Sequence, residues 1–107
     1  MSTTTADTRS AARVLALALV QALALGLPDP GYITVSPWAA DSPYVSTIDF
    51  QFDDDGEPAV QAWADRFGAP VDRRPDSKDR ARCWVSAEFT HLDVRFKVYA
   101  HIAADET

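Results

Sequence analysis

Several residue types that build common functional sites are scarce in this chain of 107 residues. The single cysteine, Cys83, cannot form an intrachain disulfide and cannot supply the several thiolates of a structural zinc site. The four glycines do not form a phosphate-cradling loop, and the sequence has neither a Gly-x-Ser-x-Gly elbow nor a His-Glu-x-x-His motif. We therefore expect no cofactor and no enzymatic activity.

Basic residues are also few. Lysine and arginine number 10 against 16 aspartate and glutamate residues, which gives a formal net charge of −6. Nucleic-acid binders gain most of their affinity by neutralising phosphates with basic side chains, so we expect no nucleic-acid partner. The longest apolar run, residues 14–27, is shorter than the roughly 20 residues that span a membrane. With 47% hydrophobic residues, the composition predicts one folded domain.

The polar N-terminus predicts a disordered arm over residues 1–9, followed by a single domain over residues 10–102 and a polar tail over residues 103–107. The domain opens with a helix that ends before Gly26. Because this helix is apolar nearly all round, we expect it to be buried on most sides. This interpretation favours a cytoplasmic protein.

An alternative interpretation of the first helix is a secretory signal peptide over residues 9–24. Two arginines precede the apolar stretch, and Ala22-Leu23-Ala24 resembles a cleavage site with small residues at both ends. Gln21 inside the stretch argues against export, and so does the helix stop directly before a turn. The protein would be secreted if this alternative held.

Hydrophobic periodicity predicts an α+β fold with two helices and an antiparallel sheet of about five strands, in the order α-β-β-α-β-β-β. The second helix follows Gly56, carries the apolar stripe Val60, Trp63, Ala64 and Phe67, and ends at Gly68. The charged residues 74–80 predict an exposed loop. Strands are predicted at residues 32–36, 45–52, 69–73, 82–89 and 94–102.

The run Asp53-Asp54-Asp55, with Asp49 upstream, is the densest acidic cluster and could hold a hard cation. The oxygen spacing and the closing glutamate of a calcium loop are absent, however. Acids before a helix also cap its free N–H groups and complement its dipole. We therefore predict helix capping and no metal site.

Histidine and cysteine offer no catalytic pair. His91 and His101 lie ten residues apart, about 30 Å along an extended strand, so they cannot share a metal or a substrate through one hairpin. Cys83 falls on the predicted buried face of its strand, where a thiol is inert. We expect no catalytic residue here.

The final two strands predict a hairpin with a four-residue loop at residues 90–93. This register pairs Glu88 with Arg95 and Trp84 with Tyr99. Its outward face interleaves aromatic and basic residues, a composition typical of protein interfaces. We predict a binding surface formed by Trp84, Arg95, Lys97 and Tyr99. The alternative is that the first helix covers this face and buries Trp84 and Tyr99.

The layout resembles uncharacterised small α+β proteins of actinobacteria and their phages. The resemblance rests on the Ala/Leu helix that ends in Gly26-Leu27-Pro28, the Ile33-Thr34-Val35 strand, the Ala62-Trp63-Ala64 helix and the last strand. It implies an intracellular location and carries no functional residue. Our leading hypothesis is a small non-enzymatic module that contacts a protein partner, with a homodimer as one possibility. The alternatives are an acidic inhibitor that mimics DNA, and a small ligand carrier or enzyme with an unrecognised pocket.

Overall fold

A computed structural model describes residues 3–36 and 47–104, with the side chains of the first helix described from Ala12 onward. Residues 45–46 of the predicted second strand lie outside this description. The α+β class and the order of the elements are confirmed. The elements are α1 (Thr3–Leu23), β1 (Tyr32–Ser36), β2 (Thr47–Phe52), α2 (Glu57–Phe67), β3 (Asp72–Pro75), β4 (Arg82–His91) and β5 (Val94–Ala103).

The five strands form one mixed sheet in the order β1-β2-β5-β4-β3. Neighbouring strands are antiparallel except β2 and β5, which run parallel. The prediction of an antiparallel sheet is therefore wrong at this pair. Side chains alternate with a period of two in both kinds of ladder, so the pattern of β2 does not reveal which strand lies beside it or in which direction.

Helix α2 covers the inner face of the sheet through the predicted stripe. Trp63 is buried at its centre, with its ring 5.1 Å from that of Phe50 in an edge-on arrangement. The indole N–H donates a 2.9 Å hydrogen bond to the carbonyl of Pro28, which ties the segment after α1 to the core. Gly68 ends the helix in the left-handed conformation, as predicted.

Helix α1 lies on the same inner face but is buried along one side only. Leu15, Ala18 and Ala22 join the core, whereas Leu17 and Val20 are 56% and 64% exposed. The expectation of burial on most sides is wrong, because a helix on a sheet contacts it along one stripe. The helix begins at Thr3 and so includes most of the predicted arm. Once a helix has formed, each added residue gains a backbone hydrogen bond.

The acidic run forms a tight turn between β2 and α2 and does not cap the helix. Gly56 occupies the N-cap position, without a capping hydrogen bond from any side chain. Its N–H donates to the carbonyl of Asp53 at 2.8 Å. The predicted capping is therefore wrong, because the turn places a buried glycine where the cap would stand. Within residues 3–36 and 47–104, no cluster of three or more potential metal ligands is found.

The β4–β5 hairpin closes through a two-residue turn, with His91 opposite Val94. Leu92 and Asp93 both adopt positive φ angles, 51° and 64°. The predicted four-residue loop is wrong. Two successive left-handed residues give a turn whose twist matches that of the flanking strands. Each pairing therefore moves by two positions, which leaves every side chain on its predicted face.

Candidate functional site

Within the part of the chain that the structure describes, no element covers the outer face of the sheet. Both described helices pack on the inner face, where the buried strand residues lie. The side chains on the other face alternate with these buried residues and are exposed or half-buried. Trp84, on this outer face, is 40% exposed. Helix α1 therefore does not cover the predicted binding surface.

Three rings meet in the middle of the outer face. Trp84 lies directly opposite His101, and their rings stack with centroids 4.0 Å apart. Tyr99 is the diagonal neighbour of Trp84, with ring centroids 6.1 Å apart. The prediction that Trp84 and Tyr99 face each other directly is wrong by the two-residue shift. The two rings nevertheless contact each other, and His101 joins them.

A depression of about 470 Å³ lies beside these rings. It contains three of the four predicted residues, Trp84, Lys97 and Tyr99. Arg95 does not line it, because the observed register places this residue opposite Thr90, next to the hairpin turn. The full lining consists of Asp49, Asp72, Arg74, Trp84, Ser86, Glu88, Lys97 and Tyr99.

Lys97 lies at the centre of the charge pattern in this depression. It pairs in register with Glu88 on one side and with Asp49 on the other. Its Nζ lies 5.5 Å from the centroid of the Tyr99 ring, within range of a cation–π interaction. In the described part of the chain, Lys97 forms no ion pair. Its ammonium group therefore lies between two carboxylates and close to an aromatic face, without an ion pair to either carboxylate.

Tyr99 keeps a neutral hydroxyl. Partial burial raises the pKa of this phenol above its usual value, and the negative charge of Asp49 raises it further. The hydroxyl donates a 3.3 Å hydrogen bond to the side-chain carbonyl of Gln51. Gln51 lines a second depression, of about 270 Å³, so this hydrogen bond lies between the two depressions. Tyr99 thus offers a ring and a hydrogen-bonding group at neutral pH.

The loop between β3 and β4 fixes the orientation of the His101 ring. Its Nε2 lies 2.8 Å from an Oδ2 oxygen of Asp76. The N–H of Lys78 donates to the same carboxylate at 2.8 Å. This backbone hydrogen bond is the main reason that the pKa of Asp76 is lowered, and His101 lowers it further. The predicted loop is thus anchored at Asp76, which orients the ring that stacks on Trp84.

The cysteine and the other histidine do not contribute to this face. Cys83 is buried on the inner face, where the guanidinium of Arg73 approaches its sulfur at 3.8 Å. Arg73 also forms an ion pair with Glu57 at the start of α2. His91 packs on the ring of Phe67, with centroids 5.2 Å apart. Cys83 and His91 lie at opposite ends of β4 and cannot act as a pair.

Several residues of the depression were not predicted from the sequence. Alternation along β2 does place Asp49 on an outer face, but nothing in the sequence places β2 beside β5. Asp72 and Arg74, whose side chains form an ion pair at 2.7 Å, come from β3. This strand was predicted three residues too early, because its charged sequence lacks an alternating pattern.

The arrangement provides contacts and hydrogen bonds for a ligand. Its aromatic rings offer flat apolar surfaces, and Lys97 offers a positive charge. The hydrogen bonds and ion pairs found on the described part of this face join Tyr99 to Gln51, His101 to Asp76 and Arg74 to Asp72, and none of these three links a base to a serine or a cysteine. Comparison with protein-family models, curated proteins and solved structures finds no match to this chain.

Proposed function

We propose that the protein is a small non-enzymatic interaction module whose outer sheet face binds an acidic segment of a partner protein. The observation that carries this proposal is the half-exposed Trp84, which stacks on His101 and contacts Tyr99 on a face that no described helix covers. Clusters of tryptophan and tyrosine near basic side chains dominate the binding energy of protein interfaces. The rigid rings also lose little conformational entropy on binding.

The outer face is less acidic than the chain as a whole. Its strands contribute four basic and three acidic side chains, and the loop acids Asp53, Asp54 and Asp76 at its edge bring the sum to −2, against −6 for the whole chain. A partner carboxylate therefore meets less repulsion at this face than at the rest of the surface, which orients the encounter. The basic residues of the strands are Arg74, Arg82, Arg95 and Lys97, and the acidic residues of the strands are Asp49, Asp72 and Glu88.

Two of these cations are available to the partner. Arg74 is paired with Asp72, and Arg82 donates a 2.6 Å hydrogen bond to the backbone carbonyl of His101. Lys97 and Arg95 have no ion pair within residues 3–36 and 47–104. We infer that Trp84 and Tyr99 hold an apolar side chain of the partner while Lys97 binds a neighbouring carboxylate. Arg95, further along β5, would bind a more distant acid.

The two alternative functions have less support. A DNA mimic needs its acids in one stripe, whereas the described acids are spread over the outer face, the β2–α2 turn, α2 and the β3–β4 loop. A carrier of apolar ligands needs an enclosed apolar cavity, whereas the larger depression is open and lined with charges, and the apolar depression between α1 and Val35 is open as well. Both observations favour the interaction module.

The participation of α1 in the core supports a cytoplasmic location. Leu15, Ala18 and Ala22 pack in the same cluster as the sheet residues, so cleavage near Leu25 would expose that part of the core. A retained helix therefore suits a protein that is not exported. In the described part of the chain, no helix has both the length and the apolarity that a membrane crossing requires.

Selection from a displayed library of random peptides tests the proposed function. We expect the purified chain to enrich peptides that combine aspartate or glutamate with a large apolar residue. Trp84→Ala with Tyr99→Ala, and separately Lys97→Glu, should each weaken the selected peptides by about tenfold or more. The matched control is Leu17→Ala, which removes an exposed apolar side chain of α1, on the opposite side of the sheet from the proposed binding surface.

The control should bind as the unchanged chain does, and all variants should keep their melting temperature within a few degrees. Peptides without acidic residues would contradict the chemistry that we assign to the partner. If the chain with both Trp84→Ala and Tyr99→Ala binds the peptides as well as the unchanged chain does, the binding activity lies on another surface.

A further inference from the structure

The two edges of the sheet differ in their protection against pairing with another strand. An edge strand presents free N–H and C=O groups, and proteins block such edges with charges, proline or bulges. The β3 edge has this protection, since its four residues include Asp72, Arg73 and Arg74 followed by Pro75. The β1 edge, Tyr32–Ser36, has no charge and no proline.

The side chains of β1 are as unprotected as its backbone. Tyr32 through Val35 are all exposed. Ile33 and Val35 pair in register with Phe50 and Ile48, so they belong to the inner, apolar face of the sheet. They remain 42% and 41% exposed, because α1 covers this end of the face only in part. Among the described residues no further strand pairs with the outer edge of β1, and beside this edge there is thus an apolar strip that water still reaches.

An apolar groove continues this strip onto α1. The groove has a volume of about 290 Å³, and all of its lining residues are apolar: Ala12, Leu15, Ala16, Leu19 and Val35. From Val14 to Leu27 the chain contains no charged residue, and neither does the segment from Gly31 to Ser36. Backbone edge and groove therefore form one continuous surface without charge.

We propose that this surface binds a second copy of the chain, with β1 pairing antiparallel to β1 of the partner around a two-fold axis. Such an interface is isologous, so the same patch must complement itself. An antiparallel edge meets this requirement because it offers donors and acceptors in equal number. The apolar strip meets it because each copy buries the strip of the other.

The absence of charge makes this edge suitable for contact between two copies of an acidic chain. A chain with a net charge of −6 repels its own copy wherever acids face each other. The β1 edge and its groove place no like charges in opposition, so they offer a contact at which two copies approach without that repulsion. A charged partner, in contrast, would find no side chain there to pair with.

The dimer leaves the larger depression free. This depression is lined by residues of β2, β3, β4 and β5, whereas Tyr32 of β1 lines only the second depression. Joining two β1 strands makes one continuous sheet of both copies. The larger depressions of the two copies then lie on the same face of that sheet. The dimer proposal rests on the edge and the groove and does not depend on the proposed peptide binding.

Analytical ultracentrifugation of the full chain tests this proposal. We expect a species of twice 11.7 kDa that dissociates on dilution. Val35→Lys places an ammonium group on each copy beside the shared edge and should raise the dimer dissociation constant by about tenfold or more. The matched control is Val14→Lys, since Val14 has a similar exposure of 39% and lies on the opposite flank of α1. The control should remain dimeric.

Three results would overturn the proposal: a monomer at every concentration, a Val35→Lys chain that dimerises unchanged, or equal weakening by Val14→Lys. Hydrogen exchange of the unchanged chain gives a readout that does not depend on the folding of a variant. The amides of Tyr32–Ser36 should exchange more slowly above the dissociation midpoint than below it. Exchange at the same rate under both conditions would also overturn the proposal.

Discussion

Gly56 offers a test in which the physical cause can be isolated. Its φ of −86° and ψ of 4° are open to any residue, so replacement by alanine introduces no backbone strain. The added Cβ, however, would lie 2.5 Å from Cβ of Phe52 and 2.7 Å from the carbonyl oxygen of Asp53. Both distances are far inside van der Waals contact. We therefore expect Gly56→Ala to destabilise the fold through crowding alone.

The size of this effect follows from which atoms are crowded. Extra atoms in a packed interior typically cost 1–3 kcal/mol, and the neighbours escape the higher values by rotating their side chains. A Cβ and a backbone oxygen cannot rotate away, and Cβ of Ala100, at 3.3 Å, closes a third direction. We expect a loss of about 3 kcal/mol, which lowers the melting temperature of a domain this size by more than about 10 °C.

Gly68 is the control, since it differs from Gly56 in both respects. Its φ is 66°, and a Cβ there would meet no heavy atom within 4 Å. Gly68→Ala should cost about 1 kcal/mol, from backbone strain alone. Gly68→Asn should recover part of this loss because asparagine tolerates the left-handed region, whereas Gly56→Asn should be no better than Gly56→Ala. Urea unfolding followed by tryptophan fluorescence measures all four variants. Equal losses at the two glycines would refute the reasoning.

Three further predictions concern single side chains. Trp63→Ala should cost about 3–5 kcal/mol because it empties the centre of the core; a loss below about 1 kcal/mol in urea melts would contradict this packing. Leu92→Gly should raise the stability by about 1 kcal/mol in thermal melts, since Leu92 has a φ of 51°; an unchanged melt would contradict the two-residue turn. Asp76→Asn should destabilise at neutral pH only. The lowered pKa of Asp76 means that its carboxylate stabilises the fold above the usual pKa and loses this effect as the pH falls through the lowered one. An equal difference between the two chains in strong acid would contradict this assignment.

The elements and the core were predictable because local patterns determine them. The spacing of Val60, Trp63 and Phe67 defines one helical face, and alternation along β4 and β5 separates buried from open positions. The neighbours of each strand were not predictable in this way. The parallel pairing of β2 with β5 depends on how the segments between them cross the sheet, and no local pattern records that path.

The hairpin shows the same limit at the level of two residues. The four-residue loop was favoured because a tight turn at residues 90–91 would have placed Glu88 opposite Asp93, whereas the longer loop placed it opposite the basic Arg95. The observed register places Glu88 opposite Lys97, which is also basic, so charge pairing could not separate this register from the four-residue loop. The turn decides between them, and it does so through the positive φ angles of Leu92 and Asp93. Leucine rarely adopts this conformation, so a leucine at position 92 did not indicate a tight turn.

This two-residue shift explains which part of the candidate site was predictable. A shift by an even number keeps every side chain on its face, so the aromatic and basic composition of the outer surface followed from alternation. The same shift changes every neighbour on that face: His101 replaces Tyr99 opposite Trp84, and Arg95 moves to the hairpin turn. Composition alone is enough to suggest a binding surface. The shape of the depression depends on which strands are adjacent, and Asp49 reaches it only because β2 lies beside β5.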